Sequence, residues 1–339
     1  MEMKLRWFTV KVPYPKTYSE IDKMKLLQIF TNLILIIFLF VSKPLKCDDA
    51  VYRGDGVNVY PISSEQIKLV SETIKITVLY QKDWMINVTM NFKNTGDSTT
   101  VQMGFPFTSD EFNPNFSVFD GTEKLTVIKK KAVKKPHIIK YHFPIVYTFM
   151  VHFAKGEEKT MYHTYWINSL HPSLGISSNT YILQTGALWK ESIDLIDIIL
   201  TAPIASVKYF NFILPKENEA IREGDKIILK WNYENIEPDF NLEIGSMPTR
   251  YFNIFKESPD LFLETVDEQI RRGPIHFDQR FLRYIRNMIY AYYGYPFKNP
   301  LMQAQFYDSG MFSEVKNFSV DKFSEKHKAL LKLIVLIED

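Results

Sequence analysis

From Asp48 to about Phe255 the residues alternate apolar and polar with a period of two, and no other feature constrains the chain as strongly. Successive side chains of a strand point to opposite faces, so this period means half-buried strands. Trp84, Ile86, Val88, Met90 and Phe92 share one face of the clearest strand, with Met85, Asn87, Thr89 and Asn91 on the other. Asn94-Thr95-Gly96-Asp97 ends it as a turn. The alternation recurs at Ile74, Ile76, Val78 and Tyr80, and at Ile227, Leu229, Trp231 and Tyr233. Tyr147, Phe149, Val151 and Phe153 run into Ala154-Lys155-Gly156-Glu157, and Tyr162, Thr164 and Trp166 return after it, as a hairpin or a crossing between sheets. Further strands are expected near 192–200, 207–214 and 240–244. Many short strands without intervening helices predict an antiparallel β-sandwich over residues 48–255, because each half-buried sheet needs a second layer.

After Phe255 the period changes. Residues 259–272 have the composition of a helix, and Gly273-Pro274 breaks it. Asp278 is a candidate N-cap for the next helix, whose apolar face is Phe281, Leu282, Ile285, Met288, Ile289 and Tyr292. Gly294 stands where a left-handed C-terminal cap belongs, and Pro296 blocks continuation. Asn299-Pro300 repeats the start signal for a short helix through about Phe306. A final helix from about Ser324 carries Leu330, Leu331, Ile334, Val335 and Ile337, a run too short to span a membrane and interrupted by Lys332. A small C-terminal helical domain over 256–339 is expected.

Tyr290-Ala291-Tyr292-Tyr293-Gly294 resembles the five residues that name the YARHG domain, a module of bacterial extracellular proteins. Arg286, Asn287, Ile289, Tyr290, Gly294 and Phe297 fit the places that family members fill around that motif. Tyr292 and Tyr293 stand in place of its Arg and His. The resemblance implies an extracellular setting and a structural role for Arg286, Asn287, Ile289 and Gly294, to which the capping pair Asn299 and Pro300 is added. Lys93-Asn94-Thr95-Gly96-Asp97, the stretch from Tyr181 to Lys190 and that from Trp231 to Pro238 are similar to a bacterial β-domain often found ahead of YARHG modules. That likeness bears on architecture and implies no chemistry.

Residues 1–47 form an N-terminal extension. Residues 33–41 are uniformly apolar, preceded by Lys23 and Lys25 and followed by Lys43 and Pro44, the layout of a secretory signal peptide. A cleaved signal, a retained anchor and a buried core helix are the three readings, and Met24 is an alternative start. Cleavage after Cys47 leaves Leu45 where a smaller residue is usual, and Leu45-Lys46 also departs from the small residues that precede a lipid-modified cysteine. Cys47 is the sole cysteine, so no disulfide forms within the chain. Export to the periplasm, cell surface or medium is expected.

With 41 Lys plus Arg against 39 Asp plus Glu, there is no global basic field of the kind that binds nucleic acid. No phosphate-binding glycine loop, Gly-x-Ser-x-Gly elbow or His-Glu-x-x-His pair occurs. His137, His142, His152 and His163 lack metal-ligand spacing, and neither a metal nor a cofactor is expected. Asp194 and Asp197, three apart, would point to opposite faces of a strand and are assigned to edges or turns. Lys124, Lys129, Lys130, Lys131, Lys134, Lys135 and Lys140 suit a solvated edge strand and loop, with a contact to anionic envelope polymers or phospholipid headgroups as the alternative. Tyr290, Tyr292, Tyr293, Tyr295 and Phe297 are the candidate binding residues, since exposed rings on a corner make platforms for sugars, peptides or partner surfaces; the competing reading packs them into the core.

The expected protein is an exported, non-enzymatic recognition or scaffold protein that contacts a cell-wall polymer or an envelope protein. Membrane contact would come only through an uncleaved N-terminal segment. Two alternatives stay open: a hydrolase of envelope material whose carboxylates converge in the β-domain, and a structural subunit of an envelope assembly.

Overall fold

The computed structural model describes residues 45–47, 50–53, 58–62, 65–79, 83–107, 115–132, 145–167, 177–246, 253, 256–272 and 279–338. The apolar run 33–41, Tyr80, Lys134, Lys135, His137, Lys140, His142, Gly273-Pro274 and Asp278 lie outside the described residues.

Strands β1 (Leu45–Cys47), β2 (Ala50–Arg53) and β3 (Asn58–Ile62) lead into the long pair β4 (Ile67–Val78) and β5 (Trp84–Asn94). Then come β6 (Thr99–Phe107), β7 (Ser117–Asp120), β8 (Glu123–Lys124), β9 (Ile128–Ala132), β10 (Ile145–Phe153), β11 (Glu158–Ile167) and β12 (Ser177–Tyr181). The β part closes with β13 (Ile193–Pro203), β14 (Phe210–Leu214), β15 (Glu219–Glu223), β16 (Lys226–Ile236) and β17 (Leu242–Ser246).

Eight strands form the largest sheet, in the order β15-β16-β13-β4-β5-β11-β7-β8. Trp84, Ile86, Val88, Met90 and Phe92 turn inward and are at most 2% exposed. Burying one large apolar side chain is worth about 1.5–3 kcal/mol, so this alternation fixes which face meets the core. Beyond Asn94 the turn is held by the Asn94 amide, which donates to Asp97 O and Ala154 O at 2.8 Å each and accepts from Gly96 N at 3.0 Å.

Two smaller layers cover the inward face. Strands β10-β6-β2-β3-β9 pair into a closed ring. Phe105 of β6 packs on Tyr165 of β11 with ring centroids 4.5 Å apart, and Phe153 of β10 meets Phe92 edge-on at 6.3 Å. The other layer is a four-stranded sheet, β1-β12-β17-β14. Tyr181 of β12 donates to the buried Glu72 of β4 at 2.7 Å across this interface. The sandwich is largely antiparallel, with β1/β12, β3/β9 and β4/β13 parallel. All of β5 to β12 lies between β4 and β13 in sequence, a crossover long enough to return β13 parallel to β4.

Some strand-level expectations change. Of the two readings of the turn at 154–157, the crossing between layers holds, because β10 belongs to the ring and β11 to the large sheet. Met161, His163, Tyr165 and Ile167 face inward, opposite Met90, Val88, Ile86 and Trp84, so Tyr162 and Trp166 are exposed. Asp194 and Asp197 are not at an edge or turn: β13 runs between β4 and β16, and both carboxylates are on its solvent side. Lys68 donates to Asp194 and Asn232 to Asp197, each at 2.7 Å. Lys129, Lys130 and Lys131 lie on β9, which pairs with both β10 and β3 and is therefore no edge, whereas Lys124 is on the edge strand β8. Val207 ends a one-turn helix, α1 (Ile204–Val207), and the strand begins at Phe210. Leu45–Cys47 pairs with Asn179–Tyr181, so the four-stranded sheet takes in three residues of the 1–47 segment.

The helical part comprises α2 (Pro259–Arg271), a 3-10 turn at Gln279–Phe281, α3 (Leu282–Tyr292), α4 (Pro300–Gln303) and α5 (Glu325–Glu338). It packs on the four-stranded sheet and on one edge of the large sheet: Phe281 meets Phe212 of β14 edge-on at 5.4 Å, Arg280 donates to Glu243 of β17 at 3.0 Å, and Asp308 pairs with Arg222 of the edge strand β15 at 2.6 Å. No helix among the described residues is long and apolar enough to cross a membrane.

Candidate functional site

The seam between the four-stranded sheet and the helices holds a cleft of about 370 Å³ measured out to its mouth, of which about 40 Å³ admits the centre of a water molecule. Its floor comes from an irregularity in β14. The register against β17 shifts between Phe210 and Phe212, which makes Asn211 the extra residue of a β-bulge. Bulges re-aim side chains, and here Asn211 lines the cleft. Gly245 lies beneath it, where a Cβ would stand 2.1 Å from the Phe212 ring and 2.4 Å from Asn211 Oδ1. Glycine is therefore what lets β14 side chains lie flat on β17. Tyr284 and Asn287 of α3 and Leu301 and Met302 of α4 form the facing wall.

Asn211 is 2% exposed and Tyr284 5%, yet both amide atoms and the phenol oxygen find no hydrogen-bond partner among the described residues. Such groups are uncommon, because a buried polar atom costs free energy unless it is paired. Burial pushes the Tyr284 phenol well above its usual range, so it stays a neutral hydroxyl.

Ion pairs clamp the rim. Arg283 donates to both carboxylate oxygens of Glu217, at 3.0 and 2.9 Å, and Asn299 Nδ2 approaches the same carboxylate at 3.4 Å. The Glu217 side chain is 2% exposed. Burial pushes this carboxyl up, but the Arg283 guanidinium, helped by a backbone hydrogen bond and Asn299, outweighs it and holds the group below the usual carboxylate range. Arg280, paired with Glu243, also lies over the Phe212 ring at 4.6 Å. Gln305 donates to Phe210 O at 2.9 Å, tying the helices to β14 backbone. Each rim guanidinium thus has its own carboxylate, so the mouth carries little net charge.

The aromatic corner lies on the same module, and its rings meet one another. Phe297 is buried and stacks on Phe306, with centroids 5.9 Å apart. Tyr290 is half-buried against Tyr295, Phe318 and Phe323. Tyr293 stacks on Phe323 at 4.3 Å, accepts from Ser324 N at 2.8 Å and hydrogen-bonds His327 Nδ1 at 2.9 Å. Tyr292 donates to Asp260 at 2.9 Å; burial, then that carboxylate, push its phenol up to about 12. Tyr295 is the exposed member, at 38%. Arg286 pairs with Glu338 at the end of α5, Ile289 is fully buried, and Asn299 Oδ1 accepts from Leu301 N at 2.8 Å at the start of α4, which Pro300 opens. The tyrosines that replace the motif's Arg and His are thus brought against an imidazole supplied by α5.

A groove of about 730 Å³ measured out to its mouth, between α2 and α5, has His327 among its lining, with Glu264, Asp267, Arg271 and Lys326 around it. Lys326 pairs with Glu264 at 2.7 Å and Arg271 with Asp267 at 2.9 Å, exposed pairs worth little individually. Burial pulls the His327 pKa below its ordinary 6.5, against the opposing fields of Asp260 and Glu264 and with that of Lys326. The folded state therefore prefers neutral His327. Its contribution is complete above the unfolded value and is lost as pH falls through and below it. Thermal melting between about pH 7.5 and 5.5 should show a fall in stability on acidification that is reduced in His327→Gln; an equal fall in the variant would assign the slope to other groups.

Sequence reasoning missed Asn211, Tyr284 and Glu217. An asparagine between Phe210 and Phe212 and a glycine within β17 were the available signals of a bulge and a close backbone approach. Among the described residues no group of three or more His, Cys, Asp or Glu is placed to hold a metal.

Residues 277–339 match the YARHG domain, so the chain contains this module at its C-terminus. A candidate nutrient-binding protein from Legionella pneumophila has a similar structure, with 22% sequence identity and a TM-score of 0.50 over 85% of this chain and 99% of that one, which bears on fold. An M1 zinc metallopeptidase from Deinococcus radiodurans aligns at 11% identity and a TM-score of 0.33, over 55% of this chain and 43% of the peptidase. No curated protein matches the sequence.

Proposed function

We propose that the protein is a non-enzymatic binding protein that works outside the cytoplasmic membrane and takes a cell-wall component into the cleft between β14 and the YARHG helices. One observation carries this reading: Asn211 and Tyr284 line the cleft, and their polar atoms, closed to water in this structure, are satisfied by no described residue. Leaving such a group unpaired costs about 1–3 kcal/mol, and hydrogen bonds to a ligand that widens the cleft to reach them would return it. Apolar walls with a few convergent polar groups are also the usual composition of a ligand site. The YARHG module supports an extracellular setting, and the nutrient-binding name of the Legionella protein supports a binding role. On this reading the aromatic corner is mainly the frame that holds α3 and α4 in place.

Cosedimentation of the purified full-length protein with isolated cell-wall sacculi tests the proposal, with Tyr284→Phe and Tyr295→Ala alongside. The expected result is saturable, salt-resistant binding that Tyr284→Phe weakens and Tyr295→Ala leaves intact. Loss in Tyr295→Ala alone would move recognition to the corner, and binding that disappears in high salt would move it to the lysines of β8 and β9. No binding above background would overturn the proposal.

A further inference from the structure

We infer that the solvent face of the eight-stranded sheet is a second binding surface, distinct from the cleft, whose occupant is an acidic polysaccharide laid across β8, β7, β11, β5 and β4. Register, exposed rings and charge carry the inference.

Cross-strand partners share a face, so pairing sorts the outward side chains into rows. Lys124 of β8 stands opposite Phe119 of β7, Phe119 opposite Tyr162 of β11, and Tyr162 opposite Thr89 of β5. Two residues along, Thr164 of β11 stands opposite Asn87 of β5, and Asn87 opposite Lys75 of β4. In the third row Trp166 stands opposite Met85. The alternate residues of β5 and β11 fill the core, so these rows face solvent.

Tyr162 is 43% exposed and Trp166 37%. They are four residues apart on one strand, a span of about 13 Å. Half-buried Phe119 stands beside the first and Met85 beside the second, so the apolar residues adjoin instead of being scattered singly. Flat rings on a rigid strand suit the C–H faces of sugars. Thr164, between the two rings, and Asn87 and Thr89 beside them supply donors and acceptors for sugar hydroxyls. The next row is held in place, because Thr160 donates to Asn91 at 2.7 Å and Asn91 to Ser71 at 2.8 Å. One sugar cannot cover both rings, so the spacing calls for a chain.

Charge sets the class of chain. Lys68, Lys93, Lys159 and Lys230 of the large sheet each pair with a carboxylate. Lys75 and Lys124 are exposed and, among the described residues, unpaired. They sit four strand spacings apart, about 19 Å, with Phe119 and Tyr162 in the interval. The first carboxylate in line with Tyr162 is Asp197, beyond Thr73 of β4, and it accepts from Asn232. Two free cations at this separation match a chain with carboxylates on some of its sugars. A phosphodiester backbone, charged at every unit, would leave most of its charges unmatched.

Calorimetric titration of the full-length protein is the test, with a hyaluronan hexasaccharide, whose alternate sugars carry carboxylates, a chitin hexasaccharide, which has none, and oligothymidylate. The acidic hexasaccharide should bind at least about tenfold more tightly than the neutral one and should weaken as salt is raised. Tyr162→Ala and Trp166→Ala should each weaken it by about tenfold, with unchanged melting temperatures showing that the variants fold. Lys75→Gln, a change on the surface, should reduce the preference for the acidic sugar and leave neutral binding unaltered, which tests the charge even where a ring variant loses stability. Tyr284→Phe should change none of this, so the surface and the cleft stand or fall separately. Equal binding of the two hexasaccharides would overturn the acidic assignment. Tighter binding of oligothymidylate would overturn it in favour of single-stranded nucleic acid. Acid preference untouched by both ring variants and by Lys75→Gln, or no binding by any probe, would remove this face as a binding surface.

Discussion

Arg283→Met should cost about 3–5 kcal/mol of stability, the largest loss expected from a single change at the seam. Arg283 occupies both oxygens of Glu217, whose side chain is almost wholly withdrawn from water. Removing the guanidinium leaves a buried carboxylate with Asn299, at 3.4 Å, as its remaining side-chain partner. The magnitude measures the uncompensated charge and says little about the net worth of the pair. Replacing both residues, as Glu217→Met with Arg283→Met, should therefore recover most of the loss, and a urea-denaturation double-mutant cycle would expose that coupling. The pH dependence supplies an independent sign. In the native protein the Glu217 pKa is depressed, so its contribution is present above the unfolded value of about 4.5 and is lost as pH falls through the lower folded value. In Arg283→Met, burial without the guanidinium raises the pKa instead. The variant should then gain stability relative to the native protein as pH falls from about 7 toward 4. A loss below about 1 kcal/mol with no reversal of the pH trend would mean that the seam does not depend on this pair.

The contrast between what the sequence reveals and what it hides follows the range over which each determinant acts. Strand β5 was legible because a period of two over Trp84 to Phe92 is local, and each inward residue is buried for the same reason. Helix α3 was legible through the three- and four-residue spacing of Leu282, Ile285, Met288 and Ile289. Strand β11 was harder, since Tyr162, Thr164 and Trp166 alternate as well as Met161, His163 and Tyr165 do. Only pairing with β5 decides which set faces inward. The seam was not legible at all. Asn211 acquires its orientation from a register shift against β17, and Glu217 meets Arg283 across 66 positions of sequence. Nothing within either neighbourhood encodes the encounter. The aromatic corner lies between these cases: its helix, stop and restart are local signals, but the packing of Tyr293 against Phe323 and His327 depends on the return of α5.

Gly294→Ala should destabilise the protein by about 3 kcal/mol, from two sources that a control separates. The first is conformational. Gly294 has φ +77°, and it closes α3 with paired bonds: Tyr295 N donates to Tyr290 O at 3.0 Å and Gly294 N to Ala291 O at 2.9 Å. These are the bonds of a Schellman cap, and a Cβ in that left-handed conformation costs about 1–2 kcal/mol. The second source is steric. A Cβ on Gly294 would lie 2.5 Å from Val315 Cγ2 and 2.9 Å from Val315 N, which itself donates to Gly294 O at 3.0 Å. The side chain could rotate away, but the backbone nitrogen cannot move without breaking that bond, so overpacking adds about 1–2 kcal/mol. Gly156 has φ +71° and open space where its Cβ would go. Gly156→Ala should therefore show the conformational cost alone, and the difference between the two variants in thermal or urea unfolding reads the Val315 contact. Equal losses would mean that the 315 loop yields without cost. A larger loss in Gly294→Ala would establish that the glycine of the motif is required for the close seating of this loop on the end of α3, which fixes the corner where Tyr290, Tyr293 and Tyr295 meet.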